Sequence, residues 1–81
     1  HGTHAGALPA IRAGGLRPMN RHHVHLSPDP DTARHVGARR GPPIILTIRA
    51  GEMHDAGYLF FVSENGVWLV DRVLPAYVDG A

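Results

Sequence analysis

The sequence contains no cysteine, which excludes disulfide bonds and any metal site built on thiolates. It also contains no lysine, so all eight basic side chains other than histidine are arginines. No apolar run approaches the roughly 20 residues that a membrane-spanning helix needs, and no segment resembles a secretory signal peptide. Together these absences favour a cytoplasmic protein.

An excess of charge of one sign is lacking as well. Eight arginines stand against seven acidic residues, for a formal net charge of +1. This balance does not predict non-specific binding to nucleic acid, so any basic site must be local. The length of 81 residues predicts one domain with a small core, for which a partner element is expected. Because the first residue is His1 and not methionine, we expect a processed chain or a piece of a longer protein.

Histidine, in contrast, is concentrated in the segment "RHHVHLS" at 21–27. Apolar and polar residues alternate here, as they do in a half-buried strand. The alternation puts His23 and His25 on one face of that strand, with Val24 and Leu26 on the other. We therefore predict that the two histidines lie outside the core, on a face open to a ligand or to solvent.

Three uses of this histidine face are compatible with the residues alone. Two same-face histidines can begin a zinc site, but the possible further ligands show no diagnostic spacing; they are His1, His4, Asp29 and His35. The histidines can also simply face solvent. A third use is the binding of phosphate and ribose, because Arg21 is a permanent cation and neutral histidine offers one donor and one acceptor.

Glycine and proline divide the chain into short predicted elements. The first half is predicted to hold a strand ending at 1–3, a helix capped by Thr3 that runs to about Arg12 with Leu8 and Ile11 on one face, and a helix capped by Ser27 or Asp29 with Ala33, Val36 and Gly37 inward. The second half is predicted to hold a strand over 43–49, a turn or one helical turn over 51–57, and a hairpin of strands 58–62 and 66–70 whose core includes Trp68, Leu69 and Val70. The pattern predicts a small α+β domain with a compact sheet.

Three segments together resemble a known family: "HGT" at 1–3, "GLRPMNRHHVHLS" at 15–27 and "SENGVWL" at 63–69. They are similar to the carboxy-terminal, NAD-binding lobe of the KptA-like RNA 2′-phosphotransferases, which belong to the wider ADP-ribosyltransferase group. The resemblance runs from His1 to about Val78 and implies that 1–81 forms one ADP-ribosyltransferase-like lobe. It implies transfer of an internal RNA 2′-phosphate, such as that of a tRNA splice junction, to NAD. The products would be ADP-ribose 1″,2″-cyclic phosphate, nicotinamide and RNA with a 2′-hydroxyl.

The resemblance also implies roles for individual residues. Arg21 matches the arginine that contacts the transferred phosphate, and we expect it to be catalytic. The implied cofactor-binding residues are His1, Gly2, Thr3, Gly15, Leu16, Met19, His23, His25, Ser27, Phe61 and Val67. Among them, Gly2 and Thr3 would let backbone approach the nucleotide, the segment 15–19 would line the adenosine, and Phe61 would stack on the nicotinamide side.

Further features leave alternatives open. Val67 stands where protein-modifying relatives often carry glutamate, so modification of a protein acceptor is the less expected activity. Phe60 is an alternative to Phe61 for stacking, since strand alternation gives the cleft only one of them. Arg39 and Arg40 could steer RNA phosphates or form a solvated pair at a helix end.

The family enzyme has a second, amino-terminal lobe, winged-helix-like, that carries an Arg-His pair and another arginine of the catalytic set. The present resemblance covers the NAD-binding lobe alone. Three overall functions therefore stay open. The chain can be the carboxy-terminal half of a phosphotransferase completed by that lobe, a stand-alone ADP-ribosyltransferase-like module, or a non-enzymatic module that binds metal or nucleic acid.

Overall fold

The computed structural model describes residues 1–19, 21–38 and 41–81. Within them, the helices are α1 (Leu8–Gly14), α2 (Pro30–Gly37) and α3 (Ala50–Asp55), and short 3-10 turns occupy Ala5–Ala7 and Pro75–Tyr77. The strands are β1 (Gly2–Thr3), β2 (Val24–Leu26), β3 (Ile44–Ile45), β4 (Thr47–Ile48), β5 (Phe61–Val62), β6 (Trp68–Val70) and β7 (Val78–Asp79). The predicted α+β class is confirmed.

The described strands form three small antiparallel sheets, ordered β1-β3, β2-β6-β5 and β4-β7. In the central sheet, β2 pairs with β6 so that Val24 lies opposite Val70 and His25 opposite Leu69. Val24 and Leu26 are buried, as the alternation predicted. The observed strand starts later than predicted, because residues 21–23 form a bend and leave Arg21 outside the sheet.

Helix α2 packs directly on β1, and glycine makes this contact possible. A Cβ on Gly2 would lie 1.6 Å from the carbonyl oxygen of Ala33, and one on Gly37 would lie 2.9 Å from the amide nitrogen of Thr3. Asp29 caps α2 by accepting a hydrogen bond from the Thr32 amide at 2.8 Å, so the predicted Asp29 cap is confirmed. Strand β1 is thereby fixed against a capped helix.

Two predictions about the helices are wrong. Thr3 does not cap the first helix, because it belongs to β1 and is itself buried. That helix starts after a 3-10 turn and ends at Gly14; the next residue, Gly15, has a φ of +76°, which is favourable only for glycine. Val36 does not face inward but is 44% exposed, because the small residues Ala33 and Gly37 form the contact face of α2.

Two predictions about the strands also need correction. The segment 43–49 forms two strands, because β3 pairs with β1 while β4 pairs with β7, and the buried Leu46 separates them. The hairpin of β5 and β6 is confirmed, but Trp68 is 43% exposed and only Val70 of β6 is fully buried. The core consists of Ile11, Leu16, Val24, Leu26, Leu46, Met53, Val70 and Val73.

No helix among the described residues is both long and apolar enough to pass through a membrane.

Candidate functional site

A cleft of about 1150 Å³ lies between β1, the end of α1, β2 and the turn of the β5-β6 hairpin. Eleven of the twelve site residues expected from the sequence line it: His1, Gly2, Thr3, Gly15, Leu16, Met19, Arg21, His23, His25, Ser27 and Val67. The twelfth, Phe61, does not. The fold thus gathers residues from distant parts of the sequence at one concave surface.

Arg21 and His25 form the most direct polar contact in this cleft. The Nη1 atom of Arg21 lies 2.7 Å from Nδ1 of His25. Nη1 also lies 3.4 Å from Nε2 of the same ring, so it lies over the ring face and not along the in-plane lone pair of either nitrogen. Burial, and then the charges of Arg21 and His23, lower the pKa of His25, which favours a neutral ring.

His1 is held beside β2 through both its backbone and its ring. The Leu46 amide donates to the His1 carbonyl at 2.8 Å, and the His1 backbone nitrogen donates to the Leu46 carbonyl at 3.0 Å. The His1 Nδ1 atom lies 3.1 Å from the carbonyl oxygen of His25. A carbonyl only accepts, so Nδ1 donates, and Nε2 of a neutral His1 ring is left as an acceptor for a hydroxyl group.

Gly2 and Thr3 line the cleft next to His1, and Gly2 also has a packing role. The space of its absent side chain is occupied by the backbone of α2. Thr3 is buried, with 8% of its surface exposed. In the described structure, the glycine of "HGT" serves to bring β1 onto α2.

The segment from Gly15 to Met19 forms the wall opposite β2. Leu16 pairs with Val73 through hydrogen bonds of 2.8 and 3.0 Å, and a Cβ on Gly15 would lie 1.9 Å from the Val73 carbonyl oxygen. The side chain of Leu16 is buried, whereas Met19 is 88% exposed. Met19 also has a φ of +58°, in the left-handed region that residues with side chains rarely occupy.

His23 contacts Phe61 and Asp71 rather than the other histidines of the segment. Its Nε2 atom lies 3.7 Å from a carboxylate oxygen of Asp71, and its ring centroid lies 5.8 Å from that of Phe61. Phe61 is 52% exposed, whereas Phe60 is partly buried and packs against the core. The structure therefore places Phe61 beside a site residue but outside the cleft lining.

Several cleft residues were not expected in the nucleotide site from the sequence. They include His4, Arg17, Ser63, Asn65 and Leu69, with small or apolar residues of α1 and α2. The Ser63 hydroxyl accepts a hydrogen bond from the Val67 amide at 3.1 Å and donates one to the Asn65 side chain. The "SENG" hairpin signal locates this turn but does not indicate that it reaches the cleft. Arg39 and Arg40 lie outside the described residues.

No three histidine, aspartate or glutamate side chains among the described residues lie close enough together to hold a metal ion. The same-face histidines His23 and His25 contact Asp71 and Arg21 respectively.

Comparison with known proteins gives a consistent result. The family model described as "RNA 2′-phosphotransferase, Tpt1 / KptA family" matches residues 1–72. A probable RNA 2′-phosphotransferase of Streptomyces griseus is 63% identical over 78 residues, covering 96% of this chain and 41% of the relative. A protein of the same name from Streptomyces coelicolor is 60% identical over 78 residues, covering 96% of this chain and 43% of the relative. Another from Nostoc punctiforme is 55% identical over 79 residues, covering 98% of this chain and 44% of the relative. The chain thus spans about two fifths of the relatives it matches.

Proposed function

Because the chain belongs to the RNA 2′-phosphotransferase family, we propose that it is the NAD-binding lobe of an enzyme that transfers an internal RNA 2′-phosphate to NAD. The observation that supports this most is the single cleft that gathers His1, Arg21 and His25. The proposed products are ADP-ribose 1″,2″-cyclic phosphate, nicotinamide and RNA with a 2′-hydroxyl. The proposed RNA resembles a tRNA splice junction.

The size and the residues of the cleft fit a dinucleotide. The volume of the cleft, about 1150 Å³, exceeds the roughly 300–1,000 Å³ of ordinary small-molecule sites. Met19, Val67 and Leu69 give it apolar surface for planar bases, and His1 and Arg21 give it polar groups for ribose and phosphate. When bound, NAD supplies the ribose carbon that accepts the phosphate. The lone pair on Nε2 of His1 is suited to accept a hydrogen bond from a ribose hydroxyl.

Arg21 is the proposed catalytic residue. A 2′-phosphate is already an anion and needs no strong base, so the demand on the protein is for orientation and for stabilisation of charge at phosphorus. The guanidinium has five N–H donors, and His25 engages only Nη1. The remaining donors stay available for two oxygens of one phosphate, in the bidentate geometry that arginine favours.

We also propose that a further lobe completes the active enzyme, because the relatives extend well beyond the matched region. By the family resemblance this is the amino-terminal lobe, in the same or another chain, and it adds cationic side chains around the phosphate. The proposal assigns NAD binding to the present chain and full turnover to the two lobes together.

The test uses the Streptomyces griseus relative with its 78 matched residues replaced by those of this chain. A short RNA with one internal 2′-phosphate is incubated with this chimera or with the present chain, in the presence or absence of NAD. The mass of the RNA is then measured by mass spectrometry. We expect NAD-dependent loss of one phosphate with the chimera, and none with the Arg21→Ala chimera. A folded chimera that leaves the RNA unchanged would contradict the proposed function.

A further inference from the structure

We propose that Phe61 stacks on the nucleobase of the RNA nucleotide that carries the 2′-phosphate, and so helps to bind the RNA substrate. The identity of that RNA rests on the proposed function. This role differs from the expectation that Phe61 stacks on the nicotinamide side of NAD. Phe61 lies outside the lining of the cleft, where a second substrate can approach it.

Phe61 lies on the face of the central sheet that forms one wall of the cleft. Side chains directly opposite one another in neighbouring strands share a face of the sheet. By this rule Phe61 of β5 shares a face with Leu69 of β6, and Leu69 shares it with His25 of β2. Both Leu69 and His25 line the cleft. Phe61 therefore continues the same wall onto the next strand.

Residues of the cleft border Phe61 on three sides. Leu69 lies opposite it in the sheet, and Ser63 follows it by two residues along the chain. The ring centroid of His23, which also lines the cleft, lies 5.8 Å from that of Phe61. On the fourth side, β5 is an edge strand among the described residues, and Phe61 is 52% exposed. An aromatic surface is thus available to a ligand at the rim of the cleft.

Charge is distributed unevenly around this rim. The described residues that line the cleft include Arg17, Arg21 and several histidines but no acidic residue. Outside the lining, a carboxylate oxygen of Asp71 lies 3.7 Å from Nε2 of His23. A phosphate is therefore attracted into the cleft and repelled by Asp71 beyond it, whereas an uncharged base is not repelled. The surface at Phe61 suits a base better than the RNA backbone.

The base and the 2′-phosphate of one nucleotide are chemical neighbours. The base is bonded to C1′ of the ribose and the 2′-phosphate to the adjacent C2′, so both groups must bind close together. Arg21, the proposed phosphate contact, precedes His23 by two residues, and His23 contacts Phe61. Bases of single-stranded RNA stack on aromatic side chains, and this contact tolerates every base. We therefore expect Phe61 to bind the nucleotide without selecting its sequence.

Substitutions of Phe61 separate stacking from other uses of an exposed apolar side chain. Phe61→Tyr keeps a flat ring, Phe61→Leu keeps apolar bulk without a ring, and Phe61→Ala removes both. Val62→Ala is the matched control, because Val62 is 56% exposed but lies on the opposite face of β5. The variants are made in the Streptomyces griseus chimera, and thermal unfolding verifies that each one is folded.

The test measures, without NAD, the affinity of each chimera for an RNA with one internal 2′-phosphate. A matched RNA lacks the base of the phosphorylated nucleotide. We expect Phe61→Ala to weaken binding of the complete RNA by about five- to tenfold, the lower end of the effect of losing one stacked base. Phe61→Leu should lose most of the same affinity, whereas Phe61→Tyr and Val62→Ala should retain it. All variants should bind the abasic RNA alike.

The outcomes distinguish the stacking role from the proposed function. An equal loss for both RNAs, or full affinity in Phe61→Leu, would overturn stacking and indicate that Phe61 contacts another partner, such as the further lobe. Transfer of the 2′-phosphate to NAD is measured on the same preparations. A base-dependent effect of Phe61 without transfer would overturn the proposed reaction alone, whereas transfer with an affinity insensitive to Phe61 would overturn stacking alone. An absence of RNA binding would overturn both.

Discussion

At the scale of single residues, the site depends on which side chains contact one another. The sequence predicts that Arg21, His23 and His25 lie near one another, and the cleft includes all three. It does not predict that Arg21 contacts the ring of His25 while His23 approaches Asp71. These pairings follow from the bend at 21–23 and from the register of β2 against β6, both of which depend on distant residues.

Arg21→Ala is expected to remove most of the 2′-phosphate transfer of the chimera while changing its NAD affinity much less. The reason is the proposed role of Arg21, in which the guanidinium stabilises charge on the transferred phosphate and not on the ribose. Single-turnover rates and NAD titrations of the same preparations provide the measurement. Equal losses in rate and in NAD affinity would contradict the role assigned to Arg21.

At the scale of elements, the sequence was sufficient to predict a structure whose hydrogen bonds join residues close to one another in the sequence. The Asp29 cap and the Asn65-Gly66 hairpin are of this kind. The division of 43–49 into two strands was not predictable, because nothing between Ile44 and Ile48 breaks a strand pattern and only the pairing of β3 with β1 and of β4 with β7 divides it. Trp68 likewise reads as core in a strand pattern and shares the face of the buried Val70, but it starts the strand and 43% of its surface is exposed.

The contact between α2 and β1 should be sensitive to one methyl group. Gly37→Ala places a Cβ 2.9 Å from backbone atoms of Thr3, so β1 must shift, at a cost of about 1–3 kcal/mol of unfolding free energy. Since His1 directly precedes β1, weaker NAD binding should accompany the loss. Gly51→Ala in α3 is the matched control: it meets no atom within 4 Å and should stabilise by about 0.5–1 kcal/mol. Urea unfolding of both variants tests this, and equal effects would contradict it.

The cap of α2 should give a characteristic pH dependence. The hydrogen bond from the Thr32 amide to Asp29, and then that from the Thr32 hydroxyl, lower the pKa of the Asp29 carboxyl. A carboxyl whose pKa is lower in the folded state stabilises that state above its unfolded pKa of about 3.9. This contribution is lost as the pH falls through the folded value.

Asp29→Ala should therefore lower the Tm of the chain at neutral pH, and the difference from wild type should shrink as the pH falls below about 4. Thermal unfolding followed by circular dichroism at several pH values measures both Tm values. A difference in Tm that persists unchanged at the lowest pH would show that the carboxylate is not the stabilising group.

At the scale of the whole molecule, a nearly neutral chain forms a local polar site. The net charge of +1 gives no general attraction for RNA, yet Arg17 and Arg21 both line the cleft with His1 and His25. The family resemblance identified the cleft residues because their spacing in the sequence is specific. Their convergence across β1, β2 and the hairpin turn is a property of the fold, which a list of motifs does not contain.

The most direct test of the central claim is a calorimetric titration of NAD into the 81-residue chain, repeated with His1→Ala. We predict saturable binding at one site per chain, and weaker binding by the variant because the ribose loses the acceptor at Nε2. An NAD titration without heat of binding for a chain that is folded by circular dichroism would contradict the account. An unchanged titration with His1→Ala would remove His1 from the site.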